Sequence, residues 1–297
     1  MLVPTFALKA GLPGNQFAFW VNTSSFIALV LYSRARMYAD PNWSLGIRSL
    51  TRRQWSALIV LGLIYPTAHS VAYFTAVSSD VTLTTMMNRL NIFIYMAVLW
   101  IVFHVRDRWT RGDLFTLLIC VGLILAAFVD DLQKAATSSK LLMLLAQGLF
   151  VALCSGTHNA ATESINPGVY RPVTITLIGA GLTSAVLFSY CTLFGSGVSV
   201  PLGSIHWPIM VGVFANAIGF VCLATGLRMV KASKKPWNKL LFLLTISGPL
   251  TLVQVIWTVV WVGESISHIK LVSLIMFAVV IAVHTFRKER ARSLAES

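Results

Sequence analysis

The groups best suited to hold a polar solute lie in one stretch, Val81 to His104, VTLTTMMNRLNIFIYMAVLWIVFH, which is long enough to cross a bilayer yet contains Asn88, Arg89 and Asn91. On a helix Thr84, Asn88, Asn91 and Tyr95 follow the i, i+4, i+7, i+11 pattern and form one polar stripe, with Arg89 about 100° to its side. A central Arg costs about 2.5–3.5 kcal/mol on insertion scales, so it needs a water-filled cavity or a partner. The alternative is that Arg89, about eight residues from the start of the helix, snorkels to the interface. The asparagines and Tyr95 carry polarity deeper than snorkelling explains, so the stripe is expected to face a substrate path. There a guanidinium can fork onto a phosphate or carboxylate, while amides and hydroxyls can hydrogen-bond sugar hydroxyls.

A second stripe, Ser247, Thr251, Gln254 and Thr258, has the same spacing, with Pro249 among its members. A third apolar run holds Tyr65, His69 and Tyr73 at helical spacing beside Pro66, whose missing N–H tends to kink a helix and leave a carbonyl in need of a partner. These residues complete the expected substrate-binding set. Ser155, His158, Asn159 and Thr162 share a side near a span end, where an interfacial role competes with ligand contact. Asn216, between Ala215 and Gly219 at small-xxx-small spacing, reads as helix packing, as do Gly179, Gly181 and Ser184.

No Ser/His/Asp, phosphate-loop or metal-ligand pattern appears, so no enzyme activity, cofactor or metal is expected. Asp130 and Asp131 sit where an apolar run ends. Cys120, Cys154, Cys191 and Cys222 fall within apolar segments without a CxxC pair and read as small buried hydrophobes.

These side chains must be carried by membrane helices. Of 297 residues 57% are hydrophobic and only 11% charged, and mean hydropathy is +0.77, whereas soluble domains carry about 25% charged residues. The formal charge of +13 does not point to nucleic acid, because the basic residues lie between apolar runs rather than on a soluble surface. Apolar runs at 17–32, 55–77, 82–104, 113–130, 140–162, 172–194, 207–228, 239–262 and 268–286 give nine full transmembrane helices. Residues 1–11 are too short to cross and read as a partial first helix. They also lack the basic leader and cleavage site of a signal peptide.

Most of the 23 basic residues fall in alternate linkers, at 33–54, 105–112, 163–171 and 228–239, and in the tail after Phe286. The positive-inside rule places these linkers and the C-terminus in the cytosol. The sequon Asn42-Trp43-Ser44 then lies on the cytosolic side and is expected to carry no sugar.

Trp100 to Ile124 lies over Trp257 to Ile281 without a gap, matching both tryptophans, Val102 with Val259, Val105 with Val262, Leu114 with Leu271, Leu117 with Leu274, and Ile124 with Ile281. An odd number of spans separates the copies, so they insert in opposite orientations, the sign of an inverted-repeat transporter. The expected architecture is all-α and polytopic: an inverted repeat of five-helix bundles over 1–132 and 140–286, then a basic cytosolic tail at 287–297.

With these residues on the page, the pattern resembles the drug/metabolite transporter superfamily. The stretches Thr75 to Leu114 and Val121 to Leu132 look like its nucleotide-sugar transporter branch, in which a short polar turn leads into a helix with a basic residue and a polar or aromatic stripe. Trp257 to Val283, with Gly263 and Glu264 in the family's turn, looks like the end of the second repeat. The resemblance implies alternating-access transport of a nucleotide sugar exchanged for a nucleoside monophosphate at a Golgi or ER membrane. Nothing basic lies between Lys239 and Lys270, where that branch often has a lysine, and a Gly-Ala-Leu-Asn-Lys type motif is absent. An amino-acid or drug exporter of the same superfamily and a non-transporting membrane scaffold therefore stand as alternatives. The expected partners are a small-molecule substrate and the lipid bilayer, with a homodimer left open.

Overall fold

The structure is a computed structural model that describes residues 10–77, 84, 87–88, 90–102, 111–127, 129, 139–165, 172–194, 197–219, 221–222, 225–226, 253, 256, 259–260 and 266–296. Among the described residues the regular structure is entirely helical. The helices are α1 (Gly14–Ala39), α2 (Arg52–Val77), α3 (Asn91–Ile101), α4 (Arg111–Ala127), α5 (Ser139–Ile165), α6 (Pro172–Leu193), α7 (His206–Met210) and α8 (His268–Glu296). A 3-10 turn at Ile47–Ser49 precedes α2, and α7 runs directly into a π-helix, Val211–Gly219.

Helix ends follow from local chemistry. Pro13 precedes α1, and Pro41 follows it in a turn where Asp40 Oδ1 accepts the Asn42 N–H at 3.0 Å. Thr51 and Gln54 form a capping box at the start of α2: the Thr51 N–H donates to Gln54 Oε1 (2.8 Å) and the Gln54 N–H to Thr51 Oγ1 (3.3 Å). Pro172 opens α6, where its missing donor costs nothing. Ser267 Oγ accepts the Lys270 N–H at 3.3 Å at the head of α8. Helix α2 continues through Pro66.

Three described helices contain stretches long and apolar enough to cross a membrane, Ser139–Ala160, Val173–Leu193 and His268–Arg287, while Asn91–Ile101 and Phe115–Ala127 are shorter apolar helices. This is the character of a membrane protein. Outward-facing Leu31, Phe115, Leu118, Leu142 and Phe286 give the bundle an apolar exterior. The run expected at 239–262 and the stub at 1–9 lie outside the described residues, save helical Val253, Ile256, Val259 and Val260. Helix α8 continues beyond its apolar stretch, which ends at Arg287, to Glu296.

Apolar transfer does not favour one helix pairing over another in lipid, so close packing and interhelical hydrogen bonds must hold the bundle. Helix α1 and the loop after it are tied to α6 and the loop that follows α6. Near one end Gln16 and the Trp20 indole donate to the Gly197 and Val198 carbonyls, at 2.9 and 3.0 Å. At mid-length the Thr23 hydroxyl donates to Ser184 Oγ at 3.2 Å. Near the other end the Thr174 hydroxyl donates to the Leu45 carbonyl at 2.6 Å. Gly181 supplies the closeness, since a Cβ there would lie 2.9 Å from the Phe26 ring. The packing read for Gly181 and Ser184 is thus seen in these contacts.

Helix α1 also packs on the π-helix, at Gly212, where a Cβ would run into Ser24 Oγ and the Val21 carbonyl. Sequence spacing put the small-residue contact at Ala215 and Gly219. Gly219 is exposed, and the buried positions are Val211, Gly212 and Ala217. Gly212 makes the close approach, and Ala215 is partly buried against the core that α1 shares with α6.

Helices α4 and α8 pack against each other, joined by the Thr116 Oγ1 to His284 Nδ1 hydrogen bond of 2.9 Å. Their buried faces are Thr116, Cys120, Ile124 and Ala127 on one side and Ser273, Leu274, Phe277 and Ile281 on the other. At the offset that aligns Trp100 with Trp257, Thr116 falls on Ser273, Cys120 on Phe277 and Ile124 on Ile281.

Candidate functional site

The polar site forms where α3 packs on α5, and small residues on α5 make it. Gly148, Ala152 and Gly156 recur at every fourth position, so one face of α5 presents almost no side chain. A Cβ on Gly156 would sit 2.7 Å from the Asn91 carbonyl and from the Ile94 side chain, and one on Gly148 would sit 2.8 Å from Met87 Cβ. The α3 backbone therefore rides directly on α5.

That approach brings Asn91 to Ser155. The Asn91 amide donates to Ser155 Oγ at 3.1 Å and lies 3.4 Å from Asn88 Oδ1, giving the chain Asn88–Asn91–Ser155. An interhelical bond of this kind is worth about 0.6–2 kcal/mol in a bilayer. Along α2, the His69 ring stacks on Tyr73 with centroids 5.7 Å apart and planes at 6°. His158 lies one turn beyond Ser155 on α5. Asn22 on α1 extends the polar contacts by lying 3.4 Å from Ser70 Oγ, next to His69 in sequence.

The expected site residues fall in several places. Asn88 and Asn91 lie at this contact, while His69 and Tyr73 stack on each other along α2, where Tyr73 packs against the apolar core that holds Phe17 and Phe74. Tyr95 has gone elsewhere: it is 2% exposed and belongs to the apolar core shared by α3, α4, α5 and α8, with Met96, Leu99, Cys120 and Ile281. Thr84, at the head of the stripe, is buried as well. Arg89, Ser247, Thr251 and Gln254 lie outside the described residues.

Ser155 and His158 enter the site although sequence reasoning weighed them equally as interfacial residues. The small-residue face that seats Asn91 beside them was readable from the four-residue spacing of Gly148, Ala152 and Gly156, a signal passed over in favour of polar groups. The run Asn22-Thr23-Ser24-Ser25 in α1 was passed over too, and it supplies bonds to α2, α6 and α7. Chemically, the site offers neutral amide, hydroxyl and imidazole groups, suited to holding hydroxyls and spreading the charge of an anion. Among the described residues no cluster of His, Cys, Asp or Glu could hold a metal ion.

No family model matches the chain, and no curated protein matches it. A solved structure, described only as the crystal structure of a protein, is similar with a TM-score of 0.65 at 14% identity, covering 98% of this chain and 97% of that one. At this identity the likeness is one of fold, and it extends nearly end to end.

Proposed function

We propose that the chain is a secondary transporter that moves a small polar, anionic metabolite by alternating access, with a nucleotide sugar exchanged for a nucleoside monophosphate at a Golgi or ER membrane as the specific case. The observation that carries it is the Asn88–Asn91–Ser155 chain, one turn from His158, set among apolar helices. Polar groups at such depth are costly unless they line a path or pair with one another, and three of them meet where α3 rides on α5. Arg89, next to Asn88 in sequence, would supply the positive charge an anionic solute needs.

Helix packing supports an inverted repeat of five-helix bundles. If spans five apart are equivalents, α1 corresponds to α6 and α4 to α8, and each pair packs together, as elements flanking a twofold axis must. The same relation turns the α1 to π-helix contact into the α6 to α2 contact, and both occur. The equal burial of Thr116 and Ser273, Cys120 and Phe277, and Ile124 and Ile281 agrees with it. Solute sites in such folds lie near the midplane between the repeats.

The test is counterflow in vesicles reconstituted with the full chain, preloaded with nucleoside monophosphates or amino acids and supplied with labelled nucleotide sugars or amino acids. Exchange of a nucleotide sugar, abolished by Asn91→Leu, is the expected result. Exchange of amino acids alone would assign the chain to an exporter of the same superfamily. No exchange of any solute would leave the scaffold reading.

A further inference from the structure

The 2.9 Å hydrogen bond between Thr116 Oγ1 and His284 Nδ1 fixes how α4 and α8 stand against each other. The other described buried residues of α4, Cys120, Ile124 and Ala127, lie C-terminal to Thr116, whereas the buried residues of α8, Ser273, Leu274, Phe277 and Ile281, lie N-terminal to His284. The two helices are therefore antiparallel, and the start of α4 comes to the same end of the pair as the residues after His284. Arg111, the first residue of α4, is roughly 7.5 Å along the axis from Thr116, and Arg287 and Arg290 are roughly 4.5 and 9 Å from His284. All three arginines are exposed. The apolar stretch of α8 ends at Arg287, so cations from opposite halves of the chain stand together at one membrane surface.

Arg111, Phe115 and Leu118 follow i, i+4, i+7 spacing and form one stripe along α4, while Val279, Val283, Phe286 and Arg290 form an i, i+4, i+7, i+11 stripe along α8. The apolar members of both stripes are exposed. Each stripe lies about 130° from its bonded side chain, in the same rotational sense along its own helix. An antiparallel pair reverses that sense for one helix, so both stripes fall on one side of the pair. They make an apolar wall with an arginine at the top of each half, and Arg287, turned about 60° from His284 in that same sense, stands over the seam between them.

Lipid requires an apolar exterior of any spanning helix, and basic residues at a span end are ordinary. The added feature is convergence, with three exposed guanidinium groups from two bonded helices above one apolar wall. A guanidinium forks onto phosphate oxygens. This end carries Arg111, Arg287, Lys288, Arg290 and Arg292 against the acids Asp113 and Glu289, so one negative charge does not balance it.

We propose that this end of the α4 and α8 pair binds a phospholipid with a multiply charged headgroup, of the phosphatidylinositol phosphate class. Arg111, Arg287 and Arg290 hold its phosphates at the surface, and its acyl chains lie against Phe115, Leu118, Val283 and Phe286. The site is built on other helices than the Asn88–Asn91–Ser155 chain and stands whether or not the chain transports a solute.

The test purifies the full chain from micelles holding equal amounts of phosphatidylcholine, phosphatidylserine and a phosphatidylinositol phosphate, and reads the retained lipid by native mass spectrometry. The phosphatidylinositol phosphate should be retained several-fold over phosphatidylcholine. Arg111→Gln, and separately Arg287→Gln with Arg290→Gln, should each lower that retention several-fold while melting with the wild type. Arg34→Gln with Arg36→Gln, which removes exposed cations from α1, should leave it unchanged. A wild type that retains the three lipids alike would overturn the proposal. Equal losses from the α1 variant would overturn it by showing a diffuse attraction to charge, and so would retention indifferent to Arg111→Gln, since the two helix ends would then not act together. Displacement of the lipid by equimolar inorganic phosphate would assign the arginines to free anions instead.

Discussion

Replacing Gly156 by alanine tests the site with a single methyl group. The new Cβ would stand 2.7 Å from the Asn91 carbonyl and the Ile94 side chain, where ordinary contact begins at 3.4 Å. Two of the three nearest atoms are a backbone oxygen and a β-carbon, so no flexible side-chain end can yield. Helix α3 must retreat by about 1 Å to restore carbon contact distances. The Asn91 to Ser155 bond, 3.1 Å now, then passes beyond hydrogen-bond range, at a cost of about 1 kcal/mol. Overpacking of a close interface adds about 1–3 kcal/mol. Offsetting this, alanine gains about 1 kcal/mol over glycine in a helix, leaving a net loss of about 1–3 kcal/mol. Gly122→Ala on α4 supplies the control, since nothing lies within 4 Å of its Cβ; it keeps the helix gain and pays no steric cost. The assay is thermal unfolding of the purified protein with a thiol-reactive dye, alongside counterflow. Gly156→Ala should melt several degrees below the wild type with reduced exchange, and Gly122→Ala at or slightly above it. If the two variants melt alike and exchange alike, α3 does not lie on α5 as described.

Other outcomes follow from separate contacts. Gly212→Ala, forced against Ser24 Oγ and the Val21 carbonyl, should destabilise by about 1–3 kcal/mol, measured by the same melt. A double-mutant cycle between Thr116→Ala and His284→Ala should return a coupling of about 1 kcal/mol, and a zero would mean the 2.9 Å contact contributes nothing. Arg89→Ala should abolish exchange of anionic solutes in vesicles, with Arg89→Lys recovering part of it; unchanged exchange in Arg89→Ala would remove the guanidinium from the solute path. Asn42 should carry no sugar when the chain is expressed in a glycosylating cell, since glycosylation there reverses the orientation drawn from the basic linkers.

Composition and the 3.6-residue period made the helices legible, because lipid admits only helices and closed barrels, and long continuous apolar runs lack the alternation of a barrel strand. The described helices fall on the apolar runs, and capping groups such as Thr51 and Gln54 set where they start. The site was legible in part. Spacing placed Asn88 and Asn91 on one face but could not name Ser155 as their partner, since periodicity within a helix says nothing about which distant helix it meets. The same spacing put Tyr95 on the polar stripe, whereas its large ring is buried among the apolar side chains that fill the contact with α4 and α8. Of the Ala215 and Gly219 pair, Ala215 packs against the core and Gly219 is exposed, while the tight contact falls on Gly212, since spacing within a helix does not say which of its small residues meets a neighbour.

The ties between α1 and α6 bear on how the chain is made. Thr23 meets Ser184, 161 residues later, and the Trp20 indole meets a carbonyl 178 residues later. At ribosomal speeds of about 5–20 residues per second, α1 waits about 10–30 s before its partner has been translated. During that interval Thr23 lacks the hydroxyl it bonds in the folded chain, and a stalled nascent chain would present quality control with an unfinished polar surface.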